Sequence, residues 1–233
     1  MTQDEIFAAF EGDRWFDRNH AALQQYAPDT DIPLQLIDLY HLCPQHVLEI
    51  GAANGFRVAT IATHYGASGV AVEPSADARR DGATRFPHIQ FVQGEAHAIP
   101  LHESFDLIIV NFVLHWVDRT RLLQSVAEID RLLADEGFLI LGDFLPTNQT
   151  KVPYHHLTEH IVSTYKQNYA APFLASGLYH AVGLLTGDHS AKVLHGDVEE
   201  HERVGVWLLR KSLTEHYYER TASDMSRVRS RTA

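Results

Sequence analysis

The stretch Val47-Leu48-Glu49-Ile50-Gly51-Ala52-Ala53-Asn54-Gly55 decides how this chain is read. A short apolar run passes straight into two glycines four positions apart, with small Ala52 and Ala53 between them. A buried parallel strand ends this way when the following turn must bring backbone close to a ligand at the carboxyl edge of the sheet, since glycine tolerates the conformations required. A helix opening near Asn54 then aims unpaired N–H groups at the same place. Working outward, strand-length apolar runs recur at 69–73, 89–93, 105–111 and 137–143, after a first strand at 46–50. Leu122, Leu123, Val126, Ile129, Leu132 and Leu133 form one face of a helix expected to begin at Asp118 and stop before Gly137. This alternation predicts an α/β fold with a parallel sheet covered on both faces.

Three acids close the first three strands. Glu49 stands two residues before Gly51, where a carboxylate disfavours a pyrophosphate and suits a cationic amino-acid moiety. The turn also lacks the G-x-G-x-x-G spacing of a dinucleotide site, which weakens a nicotinamide or flavin reading. Glu73, followed by Pro74, ends the second strand at the distance where an acid meets ribose hydroxyls in such folds. In Gly94-Glu95-Ala96, after the third strand, the Glu95 carboxylate can accept from an adenine amino group while the Ala96 N–H serves a ring nitrogen.

Glu49-x-Gly51-x-x-x-Gly55, then Glu73, then Gly94-Glu95-Ala96 with Ile99-Pro100, then Phe105-Asp106-Leu107-Ile108, resembles the class I S-adenosylmethionine (SAM)-dependent methyltransferases, of the type 11 kind. The resemblance covers roughly residues 45–145. It implies a Rossmann-like, mostly parallel sheet of seven strands with the last one reversed, and SAM across the first three strand ends. By position, Glu49 and the turn Gly51, Ala52, Ala53, Asn54 and Gly55 would hold the methionine part. Glu73 with Pro74 would hold the ribose, Gly94, Glu95 and Ala96 the adenine, and Asn111 with Phe112 would border cofactor or substrate. Ala53 replaces a glycine common in the family, and Glu95 replaces a commoner Asp. The opening Phe10-Glu11-Gly12-Asp13-Arg14-Trp15-Phe16 loosely resembles methyltransferases of bacterial sugar, surface-polysaccharide or secondary-metabolite pathways.

Methyl transfer from a sulfonium requires positioning of the acceptor and, for some acceptors, removal of its proton. His115, just after the fourth strand, is the candidate general base, because imidazole titrates near neutral pH. Phe112, Trp116 and Trp15 are aromatic candidates for contact with the sulfonium. His156-x-x-Glu159-His160 matches a zinc-protease pattern formally, but 16 histidines are scattered along the chain and no metal is expected.

The 233 residues carry a formal net charge of −11, which opposes a polyanionic partner, and Cys43 is a lone cysteine. No apolar stretch has bilayer-spanning length, and the first residues lack a signal-peptide pattern, so a cytoplasmic protein with a small-molecule acceptor is expected. The expected organisation is N-terminal helices over 1–45, a SAM-binding core over 46–143 and a helical cap over 144–190. An antiparallel hairpin over 191–211 and a polar tail over 212–233 complete it. A nicotinamide-dependent oxidoreductase and a non-catalytic SAM-binding subunit are the alternatives.

Overall fold

Strand β1 (His46–Ile50) sits at the middle of the sheet, paired in parallel with β2 (Ser68–Val72) on one side and β4 (Phe105–Asn111) on the other. The computed structural model describes residues 1–157, 159–190, 193–214 and 217. With β3 (Ile89–Val92) and β5 (Leu133–Phe144), five parallel strands run in the order β3-β2-β1-β4-β5. Beyond them β10 (Arg203–Lys211) runs antiparallel between β5 and β8 (Tyr179–Asp188), and two-residue β9 (Val193–Leu194) adds to β8.

Alternation along the strands builds two cores. Leu48, Ile50, Ile108, Val110, Leu139 and Leu141 face α6 (Leu122–Leu132) and the short α7 (Ala171–Ala175). On the opposite face Val47, Leu107, Ile109 and Ile140 meet α3 (Ile32–Leu39) and α4 (Phe56–Tyr65), through Leu36, Ile37, Val58 and Ile61. Helix α5 (Ala76–Arg85) connects β2 to β3 and is capped by Ser75, whose hydroxyl accepts from the Ala78 N–H at 3.1 Å. At the N-terminus α1 (Gln3–Ile6) continues through a π-turn at Phe7–Glu11 into α2 (Gly12–Leu23).

Among the described residues the sheet has eight strands instead of the expected seven. Strand β10 pairs with β8, whereas the expected hairpin joined 191–196 to 203–211. Residues 179–188 fall within the stretch 144–190 expected as cap, and they form β8 instead. In the structure Gly183 lies under the Tyr40 ring, where a Cβ would come within 2.7 Å of Cζ, so the glycine serves packing within a strand. The segment over the core is also not helical, since Leu157, Ile161, Val162 and Tyr165 fall on a hairpin of β6 (Thr150–Pro153) and β7 (Ser163–Lys166). Leu157 and Val162 still bury their side chains, against Ile6 and Tyr154, so an apolar pattern that fits a helix is satisfied by the loop joining the two strands. Helix α6 is shorter than expected because β5 begins at Leu133, with a register shift in its pairing to β4 and a positive φ of 63° at Glu136. Of the tail, residues 215, 216 and 218–233, including Arg220, Arg227, Arg229 and Arg231, lie outside the described residues.

Candidate active site

A cleft of about 900 Å³ opens at the carboxyl ends of the parallel strands, where crossover connections leave loops free to surround a ligand. Every residue that the sequence assigned to the cofactor or to proton removal lines it except Gly55, which sits behind the turn: a Cβ there would meet the Phe91 ring at 2.7 Å. The turn is left-handed at Gly51 (φ 69°), Ala53 (φ 48°) and Gly55 (φ 75°), and a Cβ at Gly51 would collide with Val113. Gly51 and Ala52 both donate to the Val72 carbonyl, at 2.8 and 3.2 Å, which fastens the turn to the end of β2.

Glu49 is buried and ion-paired with Arg57, which also grips Asp31 through Nε at 3.0 Å, and the Val58 N–H donates to Glu49 Oε2 at 3.1 Å. Burial raises the Glu49 pKa against the opposing pull of Arg57. The carboxylate that the sequence offered to a ligand cation therefore has an internal cation beside it. With Asp31 included, the trio keeps one net negative charge at the floor of the cleft.

Glu73 accepts at 2.9 Å from the Ala53 N–H and at 2.8 Å from the Ser75 N–H, and burial pushes its pKa up to about 7. Arg79 donates to the carbonyls of Glu73 and Pro74, each at 2.7 Å, which fixes the strand end. Glu95 is partly exposed, with His97 Nδ1 at 3.7 Å from Oε2; the same nitrogen lies 3.6 Å from Asp4 Oδ2. Burial raises the pKa of both Asp4 and Glu95. Ligand atoms of Asp4, Glu95 and His97 come within 4.8 Å of one another, a spacing open to a divalent ion, on the wall beside Ala96. Asp4 and His97 have no motif of their own in the sequence; α1 brings Asp4 there by donation of the Asp118 N–H to its Oδ1 at 2.8 Å.

Asn111 ends β4 and Phe112 turns out of the sheet, with a φ of 58° and its N–H on the Gly142 carbonyl at 2.8 Å. The buried Oδ1 atoms of Asn111 and Asn54 have no partner among the described residues, while Asn54 Nδ2 donates to Asp81 at 2.7 Å. His115 is buried with Nδ1 at 3.0 Å from Asp143 Oδ1, and its backbone N–H donates to Asp143 Oδ2 at 3.2 Å. An imidazole held through Nδ1 presents Nε2 as its remaining nitrogen. Asp143 went unnoticed in the sequence, although a carboxylate closing the apolar run Phe138-Leu139-Ile140-Leu141 repeats the pattern of Glu49 and Glu73.

The hairpin supplies Tyr154, His155, His156 and Lys166 to the same cleft. His156 and His160 do not share a helix face, because residues 155–156 lie in a turn. Glu11, in the π-turn, is fully buried, paired with Arg18 and bonded to the Tyr154 hydroxyl at 2.8 Å, which ties the N-terminal helices to the hairpin.

Residues 48–141 match the family model of the methyltransferase domain. The chain is 28% identical over 96 residues to an uncharacterized methyltransferase of Alkaliphilus oremlandii and 32% identical over 109 residues to the demethylmenaquinone methyltransferase of Renibacterium salmoninarum. Each of these alignments spans 41% of this chain and 44% of the relative. Among solved structures it is similar to the 1,6-didemethyltoxoflavin N1-methyltransferase of Burkholderia thailandensis (TM-score 0.68, 16% identity, 90% of each chain covered). It is also similar to a TehB-like SAM-dependent methyltransferase of Corynebacterium glutamicum (TM-score 0.60, 16% identity, 89% of this chain and 99% of that one). The eight-stranded sheet, the glycine turn after β1 and the match across residues 48–141 together make the core of this chain similar to methyltransferase domains, on a fold shared with SAM-dependent methyltransferases of known structure.

Proposed function

We propose that the chain transfers a methyl group from SAM to a hydroxyl or amine of a small-molecule acceptor. The observation that carries this reading is the convergence, in one cleft, of the three strand-end acids, the left-handed turn and the His115–Asp143 pair. The residues suit the cofactor part by part. Asn111 Oδ1 and the net negative charge of Glu49, Asp31 and Arg57 favour a ligand ammonium, since an unpartnered buried oxygen gains most from a charged donor. Glu73 would hold the ribose, and Glu95 with Ala96 the adenine, while Gly94 lets the chain pass close to Val72 and Pro100 at the same edge. When bound, SAM supplies an activated methyl on a cationic sulfur. The chain's part is to orient the acceptor, exclude water and, for a hydroxyl, take its proton at His115 Nε2 while Asp143 fixes the ring.

Isothermal titration of the purified protein with SAM and with S-adenosylhomocysteine (SAH) tests the cofactor. No heat at high micromolar ligand overturns the reading. Formation of SAH with a panel of hydroxyl and amine acceptors tests the transfer.

A further inference from the structure

The wall around His115 is made of rings. Phe112 and Phe144 stand edge-on to the imidazole with centroids at 6.0 and 5.3 Å, and Trp116 lies at 4.4 Å. His189 closes the group, 5.2 Å from Phe112 and 4.8 Å from Phe144. Several polar groups on this wall already serve protein partners. Trp116 Nε1 donates to Thr164, the Tyr154 hydroxyl donates to Glu11, and Glu202 accepts from Ser190 at 2.6 Å.

Lys166 adds a cation. Its ammonium lies 3.9 Å over the Phe144 ring and gives one hydrogen bond to the His201 carbonyl at 2.6 Å, leaving further N–H capacity on a group that lines the cleft. Partial burial lowers its pKa, against the attraction of Glu202 and Asp143. Phe144 is thus the shared neighbour of a base and an ammonium, inside an aromatic frame. A polyol would need a partner for each buried hydroxyl, whereas a flat ring with one acidic oxygen needs ring faces, a base and a cation.

Resting on the methyl-transfer reading of the cleft, we infer that the acceptor is a planar phenol or enol whose ionising oxygen lies between His115 Nε2 and the Lys166 ammonium. The hydroxyl gives its proton to His115 Nε2, and the Lys166 charge stabilises the oxyanion. That oxygen forms the new O–C bond to the methyl carbon as the C–S bond breaks, its electron pair remaining on sulfur. The product is a methyl ether, and His115 returns its proton to solvent.

The test compares catechol and 2-naphthol with trans-cyclohexane-1,2-diol, methyl α-glucoside and benzylamine, by tryptophan fluorescence of the SAH-loaded protein and by methyl transfer. Catechol and 2-naphthol are expected to bind at least tenfold more tightly than the saturated diol. Lys166→Met should remove most of that margin, and Lys166→Arg should restore it. Equal binding of catechol and the diol, or preferred binding and methylation of the glucoside or the amine, overturns the inference while leaving the methyl-transfer reading standing. Failure of SAH itself to bind overturns both.

Discussion

Glu73 accepts hydrogen bonds on both carboxylate oxygens, yet burial holds its pKa near 7, above its usual 4.5. A carboxyl with a raised folded pKa favours the folded state fully below its unfolded pKa, and that contribution is lost as pH rises through the folded value. Urea unfolding should therefore show the ligand-free protein losing about 3 kcal/mol relative to Glu73→Gln between roughly pH 4.5 and pH 8. A difference that stays flat with pH contradicts this. Ribose hydroxyls are donors and require the ionised carboxylate, so SAH binding at pH 6.5 should release protons, read from titrations in buffers of different ionisation enthalpy. His115 is expected to matter differently. His115→Gln should keep SAH affinity and lower transfer roughly 10²- to 10⁴-fold, with Asp143→Asn adding little in that background because the two act as one unit. A parallel loss of SAH binding contradicts the division of roles. Glu73 was legible in the sequence because its spacing from Gly51 is set by one β-α-β unit. Asp143 and Lys166 were not, since their places depend on pairing between segments far apart in the chain.

At the scale of elements, the turn after β1 is held in shape by two separate constraints, conformation and space. Gly51 and Gly66 both have positive φ, 69° and 66°, but a Cβ at Gly51 collides with Val113 whereas nothing lies within 4 Å of one at Gly66. Gly66→Ala should then cost only backbone strain, about 1–2 kcal/mol in urea unfolding. Gly51→Ala should cost clearly more and weaken SAH binding as well, because Val113 can move only by disturbing the β4 loop that borders the cleft. Equal costs for the two substitutions would show that the collision is relieved cheaply. Local elements such as β1 to β4 were readable because strand, turn and helix follow each other within a few tens of residues. Strand β8 and the β6–β7 hairpin were hidden, the first because Gly183 serves Tyr40 from another element, the second because Leu157 and Val162 satisfy a helix-like pattern from the loop between its strands.

Across the whole molecule, the N-terminal segment roofs the cleft by touching both of its walls. The Gln3 side chain donates to the carbonyls of Trp116 at 2.6 Å and Ser163 at 2.8 Å, and accepts from the Ser163 N–H at 3.0 Å. Phe7 stacks on Trp116 at 5.0 Å, and Asp13 accepts from Ser75 Oγ at 2.6 Å beside Glu73. One polar side chain thus joins α1, the loop after β4 and the hairpin. Gln3→Ala leaves backbone groups without a partner in a largely water-excluded place, a cost of about 1–3 kcal/mol to the docked roof. Because the core strands make none of these bonds, the loss should fall on docking of the roof and spare the sheet. Stopped-flow displacement is expected to give faster SAH dissociation by roughly five- to 150-fold, the factor corresponding to that cost, with faster proteolysis of the N-terminal segment. Gln3→Glu should be worse than Gln3→Ala, because a carboxylate keeps the acceptor for Ser163 but is placed against two carbonyl oxygens. Unchanged dissociation in both variants would mean that the roof is held by its apolar contacts alone, with Ile6 and Phe7 as its anchors.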